Sequence, residues 1–157
     1  RLDGALFGVD IVAVREINQQ LDISPVPRAP DCVRGLINLR GQIITILDLG
    51  VRLGLAARTV SCGSHIVILK TNAELASGQA GAHEGNFKTC DDLAGLLVDA
   101  IGDILAVDES DIAPAPANAG QINGQFISGV LRLEEELLIL LNAEEVVSLA
   151  DHASQTA

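Results

Sequence analysis

The chain has few aromatic residues and few positive charges. Its 157 residues include three Phe and no Trp, Tyr or Met, and ten Lys and Arg face 21 Asp and Glu, for a net charge of −11. Nucleic-acid binding requires clustered Lys and Arg against phosphates. This charge balance therefore argues against a nucleic-acid partner, and it gives no sign of binding to an anionic membrane surface.

Cysteines are also few, and their spacing is uninformative. Cys32, Cys62 and Cys90 are odd in number and lack a C-x-x-C pattern, so neither a disulfide framework nor a zinc site is indicated. No apolar run reaches the roughly 18 residues of a membrane span, and no signal peptide is visible. We therefore expect a cytoplasmic protein with reduced thiols and no direct membrane insertion. The first residue is Arg1 and not Met, which suggests a fragment of a longer protein.

Residues that usually carry chemistry are scattered. His65, His83 and His152 lie far apart, no serine has a G-x-S-x-G context, and no glycine-rich phosphate or dinucleotide loop is present. We expect no metal, no cofactor and no catalytic residue. An enzyme whose residues come together from distant loops stays open as an alternative.

The apolar content is high and consists of small and branched side chains. Hydrophobic residues make up 48% of the chain, and a core of Ile, Leu, Val and Ala favours a β-rich fold. The length fits one domain, or two small barrels that share a core. Charge is uneven, with seven basic and six acidic residues in 1–60 but three and fifteen in 61–157.

The stretch 26–49 contains the clearest local signals. Pro27 and Pro30 favour an extended arm, and the run Gly35–Leu39, the turn Arg40-Gly41 and the β-branched run Gln42–Leu47 predict a hairpin. A guanidinium at this bend is either a solvated turn residue or a fork directed at a carboxylate of this chain or of a partner. The residues alone leave both interpretations open.

Other apolar runs predict further strands and two short helical segments. Residues 72–92 contain glycines, alanines and scattered polar residues, so we expect an exposed, flexible insertion there. The predicted strands are 6–11, 66–70, 93–98, 101–107 and 137–141, and residues 12–17 form either a strand or a short turn. The predicted helical segments are 50–55 and 144–149.

The two halves of the chain show a faint internal repeat. Proline pairs precede Gly35 in the first half and Gly129 in the second, and Asp48 and Asn142 each lie thirteen positions after these glycines. A charged turn lies between two apolar strands each time. Duplicated small β-barrels are the simplest interpretation.

The hairpin stretch resembles the signature of the CheW-like domain of bacterial chemotaxis coupling proteins. The matching features are the proline pair, the Gly-x-Ile-Asn-Leu-Arg-Gly turn at 35–41, and an apolar strand that ends in Asp48-Leu49; segments 8–17, 95–105, 114–116 and 126–141 also fit. The resemblance implies an all-β fold of two packed five-stranded SH3-like barrels, with short helical turns and a C-terminal helix. It further implies one domain over 1–157 made of two intertwined barrel subdomains, and a family strand that precedes Leu6 and is missing here.

The resemblance also implies a function. Such domains are non-catalytic adaptors that couple the cytoplasmic tips of chemoreceptors to the regulatory domain of the histidine kinase CheA, with a receptor helix hairpin in the apolar groove between the barrels. One alternative is a CheW-like module of a larger protein, either the regulatory end of CheA or a coupling protein fused to a receiver domain. The other is a small β-barrel enzyme.

Glu16 and Arg40 are lone charges in apolar surroundings, so we expect them to face each other as a pair. The resemblance places both on the surface that meets the kinase and the receptor, and ties Val14 and Gly35 to receptor binding. Gly35 and Gly41 either permit the bend or let a partner approach the backbone. The full set of expected partner-binding residues is Val14, Glu16, Gly35, Asn38, Arg40, Gly41 and Ile66.

Overall fold

The computed structural model describes residues 1–19, 22–57, 59–77, 88–117 and 120–149. Within these residues the chain forms short strands and shorter helices. The strands are β1 (Leu6–Gly8), β2 (Val14–Asn18), β3 (Val33–Leu39), β4 (Gln42–Asp48), β5 (His65–Leu69), β6 (Ala94–Val98), β7 (Ile112–Ala113), β8 (Ile127–Arg132) and β9 (Leu137–Leu141). The α-helices are α1 (Leu49–Arg52), α2 (Asn72–Ser77) and α3 (Ala143–Val147), and single turns of 3-10 helix form at Ile11–Ala13, Glu109–Asp111 and Gly124–Phe126.

The strands form two sheets, which confirms the predicted all-β fold. The first sheet has five strands in the order β2-β5-β6-β4-β3, and the second has four in the order β1-β9-β8-β7. Most neighbours are antiparallel, but β4 pairs with β6 in parallel and β1 pairs with β9 in parallel. The first strand of the chain therefore belongs to the sheet formed by the second half. The second sheet has one strand fewer than predicted among the described residues.

Both faces of the first sheet are buried, which explains its continuous apolar runs. Side chains on one face of β3 to β6 form a core of their own, made of Ile37, Ile44, Ile46, Ile66, Ile68 and Leu97. Side chains on the other face join residues of the second half in a larger core, which includes Leu47, Leu69, Leu96, Phe126, Leu141 and Val146. The larger core holds the two sheets together.

The predicted hairpin is present as β3 and β4, joined by a two-residue turn. Leu39 pairs with Gln42, and the residues between them, Arg40 and Gly41, have positive φ angles of 52° and 83°. Positive φ at both central residues is what a type I′ turn requires, and this turn matches the twist of the flanking strands. The Asn38 side chain accepts a hydrogen bond of 3.0 Å from the Gly41 amide. The turn is thus locally stabilised.

The internal repeat extends to hydrogen bonds at equivalent positions. Asp48 caps α1 through the amide of Val51, and Asn142 caps α3 through the amide of Glu145. The Asp48 amide donates to the Cys32 carbonyl at 2.7 Å, and the Asn142 amide donates to the Phe126 carbonyl at 2.8 Å. The ladder is also irregular just before each repeat glycine, between Val33 and Gly35 and between Ile127 and Gly129.

One predicted strand is wrong. Residues 101–107 form no strand within the described part of the chain, and the Ile104 side chain is 79% exposed. Gly102 and Asp103 interrupt the run, and both residue types are poor strand formers. An apolar run favours an extended chain, but a β-strand also needs a neighbouring strand to which its backbone can hydrogen-bond.

The structure describes both ends of the predicted insertion, 72–77 and 88–92, and residues 78–87 lie outside the described part. Its first six residues form α2, which begins with a capping box in which the Thr71 amide donates to Glu74 and the Glu74 amide donates to Thr71. Asn72 joins the two ends, because its side chain accepts from the Thr89 amide at 2.9 Å and donates to Asp91 at 3.0 Å. The flexibility of the insertion stays a prediction.

Candidate functional site: the tip of the β3–β4 hairpin

Side chains connect the two edge strands of the first sheet. β2 and β3 lie at opposite edges, yet the Arg40 guanidinium at the hairpin tip contacts both carboxylate oxygens of Glu16 on β2, at 2.9 and 3.2 Å. A second contact runs in parallel, since Arg15 donates to the Gln42 side chain at 2.9 Å. The curled sheet thus brings its edges together at one charged surface.

The Glu16–Arg40 pair confirms the predicted contact between these two residues. The Arg40 side chain is 73% exposed and that of Glu16 is 24% exposed. An exposed pair of this kind contributes about 0 to 1 kcal/mol to stability. Most of the Arg40 side chain is exposed to a partner, so the charge is better suited to orienting a binding partner than to holding the fold.

Two further predicted residues lie at the same tip. Asn38 and Gly41 are both exposed and hydrogen-bonded to each other. An added Cβ at Gly41 would meet nothing within 4 Å, but its φ of 83° favours glycine. The structure therefore brings Glu16, Asn38, Arg40 and Gly41 together. We name this surface the hairpin-tip surface.

Three predicted residues lie elsewhere, and one of them is in the core. Ile66 has 0% exposure and packs with Ile44, Ile46 and Ile68, so the structure contradicts a direct contact with a partner. Its strand is buried on both faces, and such a run gives no sequence signal for an outward position. Val14 is partly buried and packs on the core between the sheets.

Gly35 is buried beneath Ser24, which precedes the extended arm that contains Pro27 and Pro30. Its φ is 145°, and an added Cβ would lie 2.2 Å from the backbone oxygen of Ser24. Ser24 and Leu36 exchange backbone hydrogen bonds of 2.9 and 2.8 Å across this point. Because Ser24 occupies the space over Gly35, the structure favours the interpretation in which this glycine serves the bend, and not the approach of a partner.

Exposed apolar side chains flank the hairpin-tip surface in sequence. Ile17 follows Glu16 and is 50% exposed, and Ile43 follows the turn and is 59% exposed. A protein interface commonly combines apolar contact area with polar groups at its rim. Sequence reasoning missed both isoleucines, because alternation along a strand predicts which residues share a face but not which face meets solvent.

Other features of the described residues point to no reaction centre. They contain no group of three or more His, Cys, Asp or Glu that could hold a metal ion. Both ring nitrogens of His65 are hydrogen-bonded, to the Gly63 carbonyl and to Gln19, whereas His83 and His152 lie outside the described residues. Burial raises the pKa of the Cys32 and Cys90 thiols. No helix in the described part has the length and apolar character needed to cross a membrane.

Comparison with known proteins agrees with this architecture. Residues 1–151 match the family model described as CheW-like domain. The chain is 34% identical over 140 residues to the chemotaxis protein CheW of Rhizobium meliloti, covering 89% of this chain and 79% of the relative. It is 32% identical over 152 residues to the chemotaxis protein CheW of Treponema pallidum, covering 94% and 79% respectively.

A solved structure shows the same fold. The crystal structure of the scaffolding protein TtCheW from Thermoanaerobacter tengcongensis superposes with a TM-score of 0.77 at 28% identity, covering 96% of this chain and 85% of that one. Two β-sheets share a core, and exposed isoleucines flank the charged hairpin tip in sequence, a combination that protein-binding surfaces commonly show. The chain belongs to the CheW-like family.

Proposed function

We propose that this chain is a non-catalytic chemotaxis scaffold that couples the cytoplasmic tips of chemoreceptors to the regulatory domain of a CheA-type histidine kinase. The observation that carries the proposal is the exposed Glu16–Arg40 pair at the hairpin-tip surface. Relatives named chemotaxis protein CheW support a scaffold over a kinase regulatory domain, a receiver-fused protein or an enzyme.

The kinase binds at the hairpin-tip surface. Arg40 offers a largely exposed side chain that the type I′ turn presents at the hairpin tip, where it contacts Glu16. Ile43 supplies apolar area nearby in sequence. Rim charges set register and discourage wrong partners, while buried apolar contacts contribute most of the affinity. The β3–β4 hairpin carries both an exposed charge and an exposed apolar side chain.

The receptor tip binds where the chain passes from the first sheet to the second. The segment 101–105 follows β6 and leads toward β7, and it exposes Ile101, Ile104 and Leu105 to 38%, 79% and 45%. Such an apolar run suits one face of a receptor helix, as in other helix-in-groove contacts. Val14 packs against the core between the sheets, and we assign it to the same receptor-binding surface.

Two exposed isoleucines allow the two partners to be tested separately. Ile43→Asp and Ile104→Asp introduce the same change at positions that are 59% and 79% exposed, so each variant should lose less than about 1 kcal/mol of stability. Binding of each variant to the kinase regulatory domain and to a receptor-tip fragment is measured by isothermal titration calorimetry.

We expect Ile43→Asp to weaken kinase binding at least about tenfold and to leave receptor binding unchanged, and Ile104→Asp to do the reverse. Each variant is the matched control of the other. If wild-type protein binds neither partner, or if both variants bind both partners as tightly as wild type, the proposed function is wrong.

A further inference from the structure

Arg15 occupies an irregular position in β2. Val14 pairs with Leu69 and Glu16 with Ile68, so Arg15 is the extra residue of a β-bulge between them. A bulge leaves its extra residue out of the ladder and redirects its side chain. Regular alternation would place Arg15 and Glu16 on opposite faces of the sheet, whereas here both side chains reach the β3–β4 hairpin.

Arg15 makes two contacts through different nitrogen atoms. Its terminal guanidinium nitrogen donates to the Gln42 Oε1 atom at 2.9 Å, and its Nε lies 3.5 Å from the Glu74 Oε1 atom of α2. Gln42 is the first residue of β4 and follows the Arg40-Gly41 turn. Glu74 is itself held, because its other carboxylate oxygen accepts from the Thr71 amide at 2.8 Å. Arg15 thus joins the hairpin to the capped first turn of α2.

We infer that Arg15 is a positioning residue for the hairpin-tip surface, and that it ties the β3–β4 turn to α2. A single Glu16–Arg40 contact lets the hairpin tip pivot about one pair of side chains. The parallel Arg15–Gln42 contact removes that freedom, so Arg40 meets a partner in one orientation. Fewer groups at the interface then have to become ordered on binding. The lower entropic cost raises the affinity.

This inference rests on the proposed function for its effect on affinity, but the ordering of the turn can be measured without any partner. In the free protein, we expect Arg15→Gln to lower the NMR amide order parameters of Arg40 and Gly41 and to leave those of β5 unchanged. Arg132→Gln, an exposed arginine on β8, is the matched control and should change neither.

Binding to the kinase regulatory domain then tests whether Arg15 acts through Arg40. Arg15→Gln should weaken binding about fivefold alone, but less than about twofold when Arg40→Gln is already present, because coupled residues are not additive. Arg15→Lys should recover only part of the affinity, since a single ammonium group lacks the second nitrogen of the fork.

Two results would overturn the inference. Unchanged order parameters at Arg40 and Gly41 would show that Arg15 does not hold the turn. Additive losses in the double variant would show that Arg15 contacts the partner directly. If wild-type protein does not bind the kinase domain at all, the proposed function fails, and the positioning role is then decided by the order parameters alone.

Discussion

The Arg52 Nε atom lies 2.8 Å from the carbonyl oxygen of Val146, the residue at the equivalent position in the other half of the chain. The same guanidinium donates to the carbonyl oxygens of Glu145 and Ser148 and lies 4.9 Å from the centre of the Phe126 ring. Cations are favoured at the C-terminal end of a helix. Arg52 therefore connects α1 of the first half to α3 of the second, in addition to the core that the two sheets share.

Arg52→Met should lower the free energy of unfolding by about 3 kcal/mol, because it leaves backbone carbonyl groups of α3 without their donor while keeping most of the apolar contact with Phe126. Urea denaturation followed by circular dichroism measures the change. Arg132→Met, at an exposed position on β8, is the control and should cost less than about 0.5 kcal/mol. Equal effects of the two changes would show that the buried contacts of Arg52 are energetically unimportant.

Gly35→Ala should destabilise the protein by about 3 kcal/mol, because the new Cβ meets the Ser24 backbone and the φ angle is unfavourable for a side chain. Gly35→Asp should behave in the same way, so that binding and stability fall together. Gly124→Ala is the matched control, since an added Cβ there meets nothing within 4 Å. A stable Gly35→Ala variant that fails to bind a receptor tip would restore a direct role in binding.

The three thiols should differ in reactivity at pH 8. Cys62 is exposed, whereas Cys32 is buried and Cys90 is partly buried. A raised pKa leaves Cys32 and Cys90 with less reactive thiolate at this pH, so Cys62 should react at least about tenfold faster with iodoacetamide. Mass spectrometry of timed samples measures the order. Equal rates in native protein would contradict the burial of Cys32.

We expect residues 78–87 of the insertion to be dispensable for folding, and the contacts of Asn72 at its ends to contribute to stability. Replacing residues 78–87 by a Gly-Ser linker of equal length should change the free energy of unfolding by less than about 0.5 kcal/mol. Asn72→Ala, which removes the side-chain bonds to Thr89 and Asp91, should cost about 1 kcal/mol. Thermal melts compare the two variants with wild type. A larger loss from the linker than from Asn72→Ala would contradict this division.

Local signals predicted much of the fold. Apolar runs bounded by turn residues and caps are signals that act over a few positions. They predicted the hairpin β3–β4, the strands β5, β6 and β9, and the helix α3. The equal spacing of Gly35 from Asp48 and of Gly129 from Asn142 likewise predicted a repeat. The structure has matching helix caps and irregular ladders at these positions.

Features that depend on distant partners were not predictable. Arg52 resembles a surface charge until α3, more than ninety residues away, supplies its acceptors. The bulge at Arg15 depends on how β2 pairs with β5. Ile66 is in the core because it packs with isoleucines of β4 and β5. At the candidate site, sequence reasoning found the Glu16–Arg40 pair from its two isolated charges. It missed Gln42 and Ile43, whose exposure is set by the curl of the whole sheet.

The affinity of the charge-reversed variant Arg40→Glu for the kinase regulatory domain tests the central claim most directly. We expect a loss of at least about tenfold, or 1.4 kcal/mol, with stability within about 1 kcal/mol of wild type, and partial recovery when Glu16→Arg is added. If a folded Arg40→Glu protein binds the kinase domain as tightly as wild type, the hairpin-tip surface is not where the kinase binds.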